Sequence, residues 1–542
     1  MRAPTPSPRP PSTRPRLTPP PRRAASLVAV GILASRVFGL VRQRIIAHYL
    51  GQSTLAADAF YAAFRIPNFL QNLFGEGVLS ASMIPEYTRL VAAGRRDDAR
   101  RLAGAVGGLL GALVLVIVAL GVTFAPWLVD AIVPGFEGER RALAVTLVRI
   151  LFPGVGTLVF SAWCLAILNS HRRFLLSYTA PVVWNVAIIA ATLWGRRAPT
   201  SEALVLWTAW GAVAGSVLQF AVQVPSVWRL TGGVSLSLET RDERVRKVLA
   251  NFGPVFLSRG VVQISGFIDA MIASLLPLGA VAVISNAQTL YLLPVSLFAA
   301  SVAAAELPEL SEAAGDRTRL DALRQRIVEG GTRIAFFIVP SAMVFLALGH
   351  LVAGIVLQSG RFSPDDAIWV WVTLAGSSVG MLAGAVGRLL TSSFYALDDT
   401  RTPLRFALVR IVLTVALGVA GAVWLPGVLG LPARWGTAGL TASAGVAGWV
   451  EFVLLRRALV ARLGAFAMPR GLVPRLWVAA LVAAGFAWAL ILTLRPEAHG
   501  DLVRTLLAMA ILAGFGLAYL VAAALLQVSE AQAFVARFLR RG

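Results

Sequence analysis

Apolar residues in this chain come in long unbroken blocks and do not alternate with polar ones. A membrane-barrel strand alternates with period two, so these blocks exclude a barrel and favour helices. A helix needs about 20 apolar residues to cross the hydrocarbon core of a bilayer. Windows of that kind occur at fourteen places: 25–50, 57–90, 102–132, 142–169, 174–195, 203–228, 248–275, 280–308, 331–357, 367–396, 404–424, 435–458, 472–494 and 502–527. Charges or prolines interrupt the first, second and eighth. Residues 528–541 set Ala531, Phe534, Val535 and Phe538 on one helical face and Arg537, Arg540 and Arg541 off it, as in a short interfacial helix. The expected fold is an all-α polytopic membrane protein with about 14 transmembrane helices.

Composition supports this class. Of 542 residues 57% are hydrophobic and 14% charged, where soluble chains carry about 25%. The net charge is +22, and Lys247 is the only lysine among 49 basic residues. Such an excess in a soluble protein suggests nucleic acid; on membrane loops it fits an anionic leaflet, and no nucleic-acid partner is expected. With the N-terminus inside, inner loops and tails hold roughly 33 of the basic residues and outer loops roughly 8, which predicts both termini in the cytoplasm. Cys164 stands alone, and His48, His171, His350 and His499 show no ligand spacing, so neither metal nor cofactor is expected.

The chain also contains a repeat. Ser35-Arg36 recurs as Ser258-Arg259, Pro85-Glu86 as Pro308-Glu309, and Asp98-Ala99-Arg100-Arg101 as Asp321-Ala322-Leu323-Arg324, all at one offset of 223 residues. Six spans lie in each copy, an even number, so both copies enter the membrane in the same sense. Parallel halves with a substrate site between them are a recurring transporter design. The domain reading is therefore a disordered tail 1–24, a first lobe 25–228, a cytoplasmic linker 229–247, a second lobe 248–458, an extra helix pair 472–527 and an interfacial tail 528–542.

Charge inside a bilayer costs at least ~2.5–3.5 kcal/mol per residue, so such residues face a cavity or a partner. The first two spans hold Arg36, Arg42, Arg44, Asp58, Arg65 and Glu76, with Arg36, Gly39 and Gln43 on one helical face. One reading is an anion-binding cavity, since arginine pairs bidentately with phosphates and carboxylates. The other is internal pairing, with Arg42 or Arg65 neutralising Asp58 or Glu76. In the second half, Asp269 either takes a coupling cation or proton or pairs with Arg259 or Arg388. Gly75-Glu76-Gly77 after Pro67 predicts a break in the second span. Gly104, Gly107, Gly108, Gly111 and the glycines from Gly436 to Gly448 read as close-packing surfaces between helices. No catalytic triad, zinc-protease motif or phosphate loop is present.

Several segments resemble the MurJ/MviN lipid II flippases of the MATE-like exporter superfamily. They are Ser35 through Arg42, Ala57-Asp58-Ala59-Phe60, Phe64 through Leu70, Glu76-Gly77 with Pro85, Pro134-Gly135-Phe136, Gly360-Arg361-Phe362, and Phe394 through Leu397 with Asp399 through Pro403. The resemblance implies two six-helix lobes with two extra helices forming a lipid groove. It implies a substrate too: lipid II, the undecaprenyl-diphosphate-linked cell-wall precursor, moved from the inner to the outer leaflet of the cytoplasmic membrane. The family's cavity residues map onto Ser35, Arg36, Arg42, Asp58 and Glu76, with Arg65 at a usually basic position. Asp269 matches an acidic position that resembles the family's sodium-linked site. Two family arginines fall on Gln71 and Thr289, and Arg259 stands at the repeat equivalent of Arg36, where it is expected to replace one of them.

The expected activity is alternating access by a transporter, not catalysis, driven by membrane potential, Na+ or H+. Expected partners are the lipid substrate and membrane lipids, with cell-wall synthesis proteins as candidates. Rival readings are a flippase for another polyprenyl-diphosphate-linked glycan, a non-transporting cell-wall scaffold, and a multidrug antiporter, which would want an acidic and aromatic cavity.

Overall fold

The computed structural model describes residues 22–74, 79–300, 320–397 and 399–539. Every element among them is helical. The membrane-scale helices are α1 (Arg22–Leu50), α2 (Leu55–Asn72), α3 (Arg96–Thr123), α4 (Gly138–Ser170), α5 (Phe174–Gly195), α6 (Ser201–Thr231), α7 (Glu243–Ser274) and α8 (Ala280–Pro294). They continue as α9 (Leu320–Ala347), α10 (Pro364–Ser378), α11 (Met381–Ala396), α12 (Arg401–Val419), α13 (Gly436–Leu463), α14 (Leu472–Leu494), α15 (Asp501–Leu525) and the short α16 (Ser529–Leu539).

Ten described helices are long and apolar enough to cross a membrane, or eleven when α10 and α11, bent by 48°, count as one span. Helices also occupy the positions of the first, second and seventh expected spans, α1, α2 and α7, without meeting that measure among the described residues. All three carry cavity charges that the sequence singles out. The expected tail lies outside the described residues except for 22–24, which are already helical. The expected break at Gly75–Gly77 also lies outside them.

Local chemistry explains where helices begin and end. Thr54 caps α2 by accepting from the Ala57 amide at 3.1 Å. Ser363 and Asp366 form a capping box at α10, with Pro364 in its first turn. Asp242 caps α7, and Gly232 at φ +70° ends α6 in the left-handed region.

Helices of the first half pack mainly on one another: α5 on α6, α4 on α6, α1 on α5 and α2 on α4. In the second half α12, α10 and α11 pack on α13, and α9 on α11. α14 joins this set through α9 and carries α15 beside it. Helices starting at Leu55, Ala125 and Gly138 recur as helices starting at Ala280, Gly349 and Pro364, about 225 residues on, consistent with a parallel repeat.

The glycines divide into two groups. Gly439 on α13 lies against the backbone of Gly421, in a π-helical turn that follows α12. Gly445 likewise meets Gly380 at the bend between α10 and α11, as small-residue helix packing predicts. On α3, Gly107 and Gly111 meet Trp163 and Phe160 of α4 as expected, but Gly104 and Gly108 correct that expectation. Gly104 and Gly108 face the backbone of Ser235 and Ser237 in the linker, and the Ser237 amide donates to the Gly104 carbonyl at 3.2 Å. Their missing side chains form a groove for an extended strand of chain. Replacing Gly439 by Val is expected to cost ~1–3 kcal/mol by overpacking and to lower the unfolding temperature. Gly485→Ala, with nothing within 4 Å of its added carbon, is the control and does not lower it, since alanine is the better helix former.

Candidate functional site

Enclosed polar side chains gather where α1 and α2 meet α7 and α8. Asp58, in the first turn of α2, has no exposed surface. Its Oδ2 accepts from the Gly279 amide at 2.8 Å and its Oδ1 from the Ala282 amide at 2.9 Å. These amides open α8, so a first-half carboxylate sits on the N-terminus of a second-half helix. Arg140, near the start of α4, completes the site with an Nη2–Oδ2 ion pair at 2.5 Å and stacks its guanidinium 3.7 Å from the Phe136 ring centre.

A polar chain extends this contact. Gln43 donates to Tyr61 Oη at 3.0 Å and to Asn286 Oδ1 at 2.5 Å. Asn286 donates to Gln52 Oε1 at 2.5 Å, and Gln52 donates to the Gly279 carbonyl at 3.1 Å. Ser53 donates to Asp366 at 3.1 Å, the Arg361 amide to the His48 carbonyl at 2.8 Å, and Arg44 to the Ile355 carbonyl at 2.5 Å. The end of α1 and the turn after it are thus held by three separate second-half segments.

Arg42 lies deeper along α1. Its Nη1 donates to Asn185 Oδ1 at 2.9 Å, and its guanidinium lies 5.1 Å from the Phe64 ring centre and 5.7 Å from that of Trp184. Neutral and π partners hold the charge. Among the described residues no carboxylate pairs with it, and its Nε is buried without a hydrogen-bond partner. Arg65 donates to the Gly266 carbonyl at 2.6 Å and to Ser285 at 3.2 Å, joining α2 to α7 and α8. Phe69 meets Phe267 along the same seam, with ring centres 5.2 Å apart.

Asp269 accepts from Gln288 at 3.0 Å and feels the charges of Arg65 and Arg410 without an ion-pair contact to either. Arg410 pairs instead with Glu451 at 3.2 Å.

The sequence candidates therefore separate. Arg42, Arg65 and Asp269 lie at the enclosed junction. Arg36 is exposed and Ser35 half-buried on α1. Asp58 is a buried link between the halves, its charge met by Arg140 and not by Arg42 or Arg65. Glu76 and the side chain of Arg259 lie outside the described residues. Sequence reasoning missed Arg140, Gln52 and Asn286. Arg140 sits among the few basic residues expected on the outer side, and Gln52 and Asn286 carry no charge to draw notice.

At the opposite end, the linker side, Glu86 pairs with Lys247 at 2.6 Å and Arg89 at 2.8 Å, and Asp98 with Arg244 at 3.2 Å. The Lys247 hydrogen bond, with Arg89 beside it, holds the Glu86 carboxyl below its ordinary value. Protonating Glu86 therefore weakens this tie only well below neutral pH.

Fold and site together define a polytopic α-helical membrane protein of the exporter architecture. A solved structure of lipid II flippase MurJ in an inward closed conformation superposes with a TM-score of 0.75 at 20% identity, covering 92% of this chain and 98% of that one. An inward-facing MATE family multidrug resistance transporter of the MOP superfamily gives 0.66 at 18% identity, covering 81% and 98%. The lipid II flippase MurJ family profile matches residues 46–508. Lipid II flippase MurJ of Burkholderia cenocepacia is 32% identical over 440 residues, 80% of this chain and 82% of that protein. The probable lipid II flippase MurJ of Rickettsia prowazekii is 29% identical over 401 residues, 73% and 77%. The chain belongs to the lipid II flippase MurJ family.

Removing one partner of a buried ion pair costs ~3–5 kcal/mol, because the other charge is stranded. Arg140→Gln and Asp58→Asn are each expected to destabilise the closed contact, and the double variant to recover part of the loss. Thermal unfolding and cysteine accessibility at Ser53 would read both effects. Additive losses would show that the two residues act independently.

Proposed function

We propose that this chain flips lipid II from the inner to the outer leaflet of the cytoplasmic membrane, as a transporter and not an enzyme. Family membership supports the substrate class. The observation that carries the mechanism is Arg42: an enclosed guanidinium, cradled by Phe64, Trp184 and Asn185, with no carboxylate among the described residues to satisfy it. Such a group suits a diphosphate, which arginine can engage through two parallel hydrogen bonds.

In this reading both termini are cytoplasmic, as the arginine asymmetry of the loops supports. The contacts around Asp58 then close the outer end. The headgroup enters from the cytoplasmic side and meets Arg42 and Arg36, with Arg259 at the repeat position of Arg36 supplying charge from the second half. The polyprenyl tail stays in lipid along α14 and α15. The two lobes, 25–228 and 248–458, rock apart once the amides of Gly279 and Ala282 release Asp58.

An inside-negative potential favours export of anionic headgroups by ~2.3 kcal/mol per charge per 100 mV. Asp269, between Arg65 and Arg410, is the proposed place where Na+ or H+ resets the lobes. No cofactor is required, and cell-wall synthesis proteins are proposed partners.

The test is complementation of a bacterium depleted of its own lipid II flippase. Wild type is expected to restore growth, and Arg42→Ala and Arg36→Ala to fail at equal expression. Asp269→Asn is expected to slow flipping and to blunt its response to collapse of the potential. Arg259→Ala flipping like wild type would remove Arg259 from the cavity. Failure of a well-inserted wild type would overturn the lipid II assignment.

A further inference from the structure

We infer that a cavity between the start of α5 and the end of α6 binds the phosphodiester headgroup of an anionic glycerophospholipid. It measures about 540 Å3, is lined by Arg172, Arg173 and Arg229, and has Phe174, Leu175 and Leu230 as apolar walls. It lies far along the chain from Arg42 and shares no residue with the junction described above.

Three features choose this occupant. The first is charge: all three arginines are exposed, and none makes an ion pair with any described residue. Three guanidiniums on one small cavity repel one another unless an anion sits among them. The second is depth. The cavity lies where two membrane helices end, beside Trp228, which is exposed, as indole rings are at headgroup level. Basic pockets between helix ends on the cytoplasmic side suit lipid phosphates, and the apolar walls suit the start of an acyl chain. The third is the repeat. In the second half the corresponding place, between the start of α12 and the end of α13, holds Arg401, Arg405 and Arg462 around a cavity of about 380 Å3. There the chain supplies its own anion. Asp399 accepts from the Arg401 and Thr402 amides, both at 3.0 Å, and pairs with Arg462 at 2.5 Å. No acidic residue lines the first-half cavity. A lipid phosphate there takes the part that Asp399 plays in the other half.

Assignment to the inner leaflet rests on the orientation proposed above, but binding in detergent does not depend on it. The test is native mass spectrometry of the purified full chain with added phosphatidylglycerol or phosphatidylcholine. Wild type is expected to retain phosphatidylglycerol in preference. Arg229→Gln is expected to reduce that preference about fivefold, and Arg172→Gln with Arg173→Gln to reduce it further. Arg401→Gln with Arg405→Gln, in the half that has Asp399, is the control and should leave it intact. Equal loss in both sets would mean only surface charge and would overturn the site, as would an unchanged preference in Arg229→Gln. Complete displacement by millimolar inorganic phosphate would show a soluble-anion site and overturn the lipid assignment. Because these arginines are solvent-exposed, the variants are expected to unfold at the wild-type temperature. If the first-half double variant does not, Arg229→Gln decides alone. Loss of this preference leaves the flippase reading untouched, since complementation tests that separately.

Discussion

A carboxylate with no exposed surface has to be neutralised by its surroundings, and Asp58 meets this requirement with groups from both halves of the chain. Two amides at the start of α8 and one guanidinium from α4 share its charge. Each is worth keeping only while the others are present, because an orphaned buried charge costs several kcal/mol. The neighbouring polar contacts, from Gln43 through Asn286 and Gln52, need the same register between the halves. Separating them therefore breaks many bonds together, giving the contact two arrangements and little between.

The surrounding lipid explains why the class of fold was legible from sequence. Apolar blocks of bilayer length have few other uses, and the parallel repeat showed in matched dipeptides before it showed in matched helices. Helices α1 and α2 were among the weakest to read for the reason that makes them interesting: charges such as Arg42, Asp58 and Arg65, which meet other helices, interrupt their apolar runs. The α3 glycines were read correctly as a close-approach surface, but Gly104 and Gly108 were assigned the wrong neighbour. Spacing along a helix reports which face is small, and it cannot say whether a helix or an extended linker fills it.

The site was only half legible. Intramembrane charges drew notice to Arg42, Arg65, Asp58 and Asp269, and all four are enclosed or partly enclosed side chains on helices of the junction. Their partners were not readable, because pairing depends on how helices pack and not on separation in sequence. Arg140 lies 82 residues from Asp58 and Asn286 lies 243 from Gln43. Neutral groups such as Asn185 and Gln288 do much of the work of holding charges, and hydropathy does not distinguish them from ordinary polar substitutions.

The permanently cationic side chains of this protein are guanidiniums with a single exception, Lys247, and it lies in the tie between Glu86 and the start of α7. Acylation or any other chemistry selective for side-chain amines can thus address only one point on the molecule. That point bonds an early segment of the first half to the first helix of the second, and capping it removes one of the two charges at 2.6 Å. With arginine at every other Lys/Arg position, the one lysine leaves a covalent handle on the join between the halves.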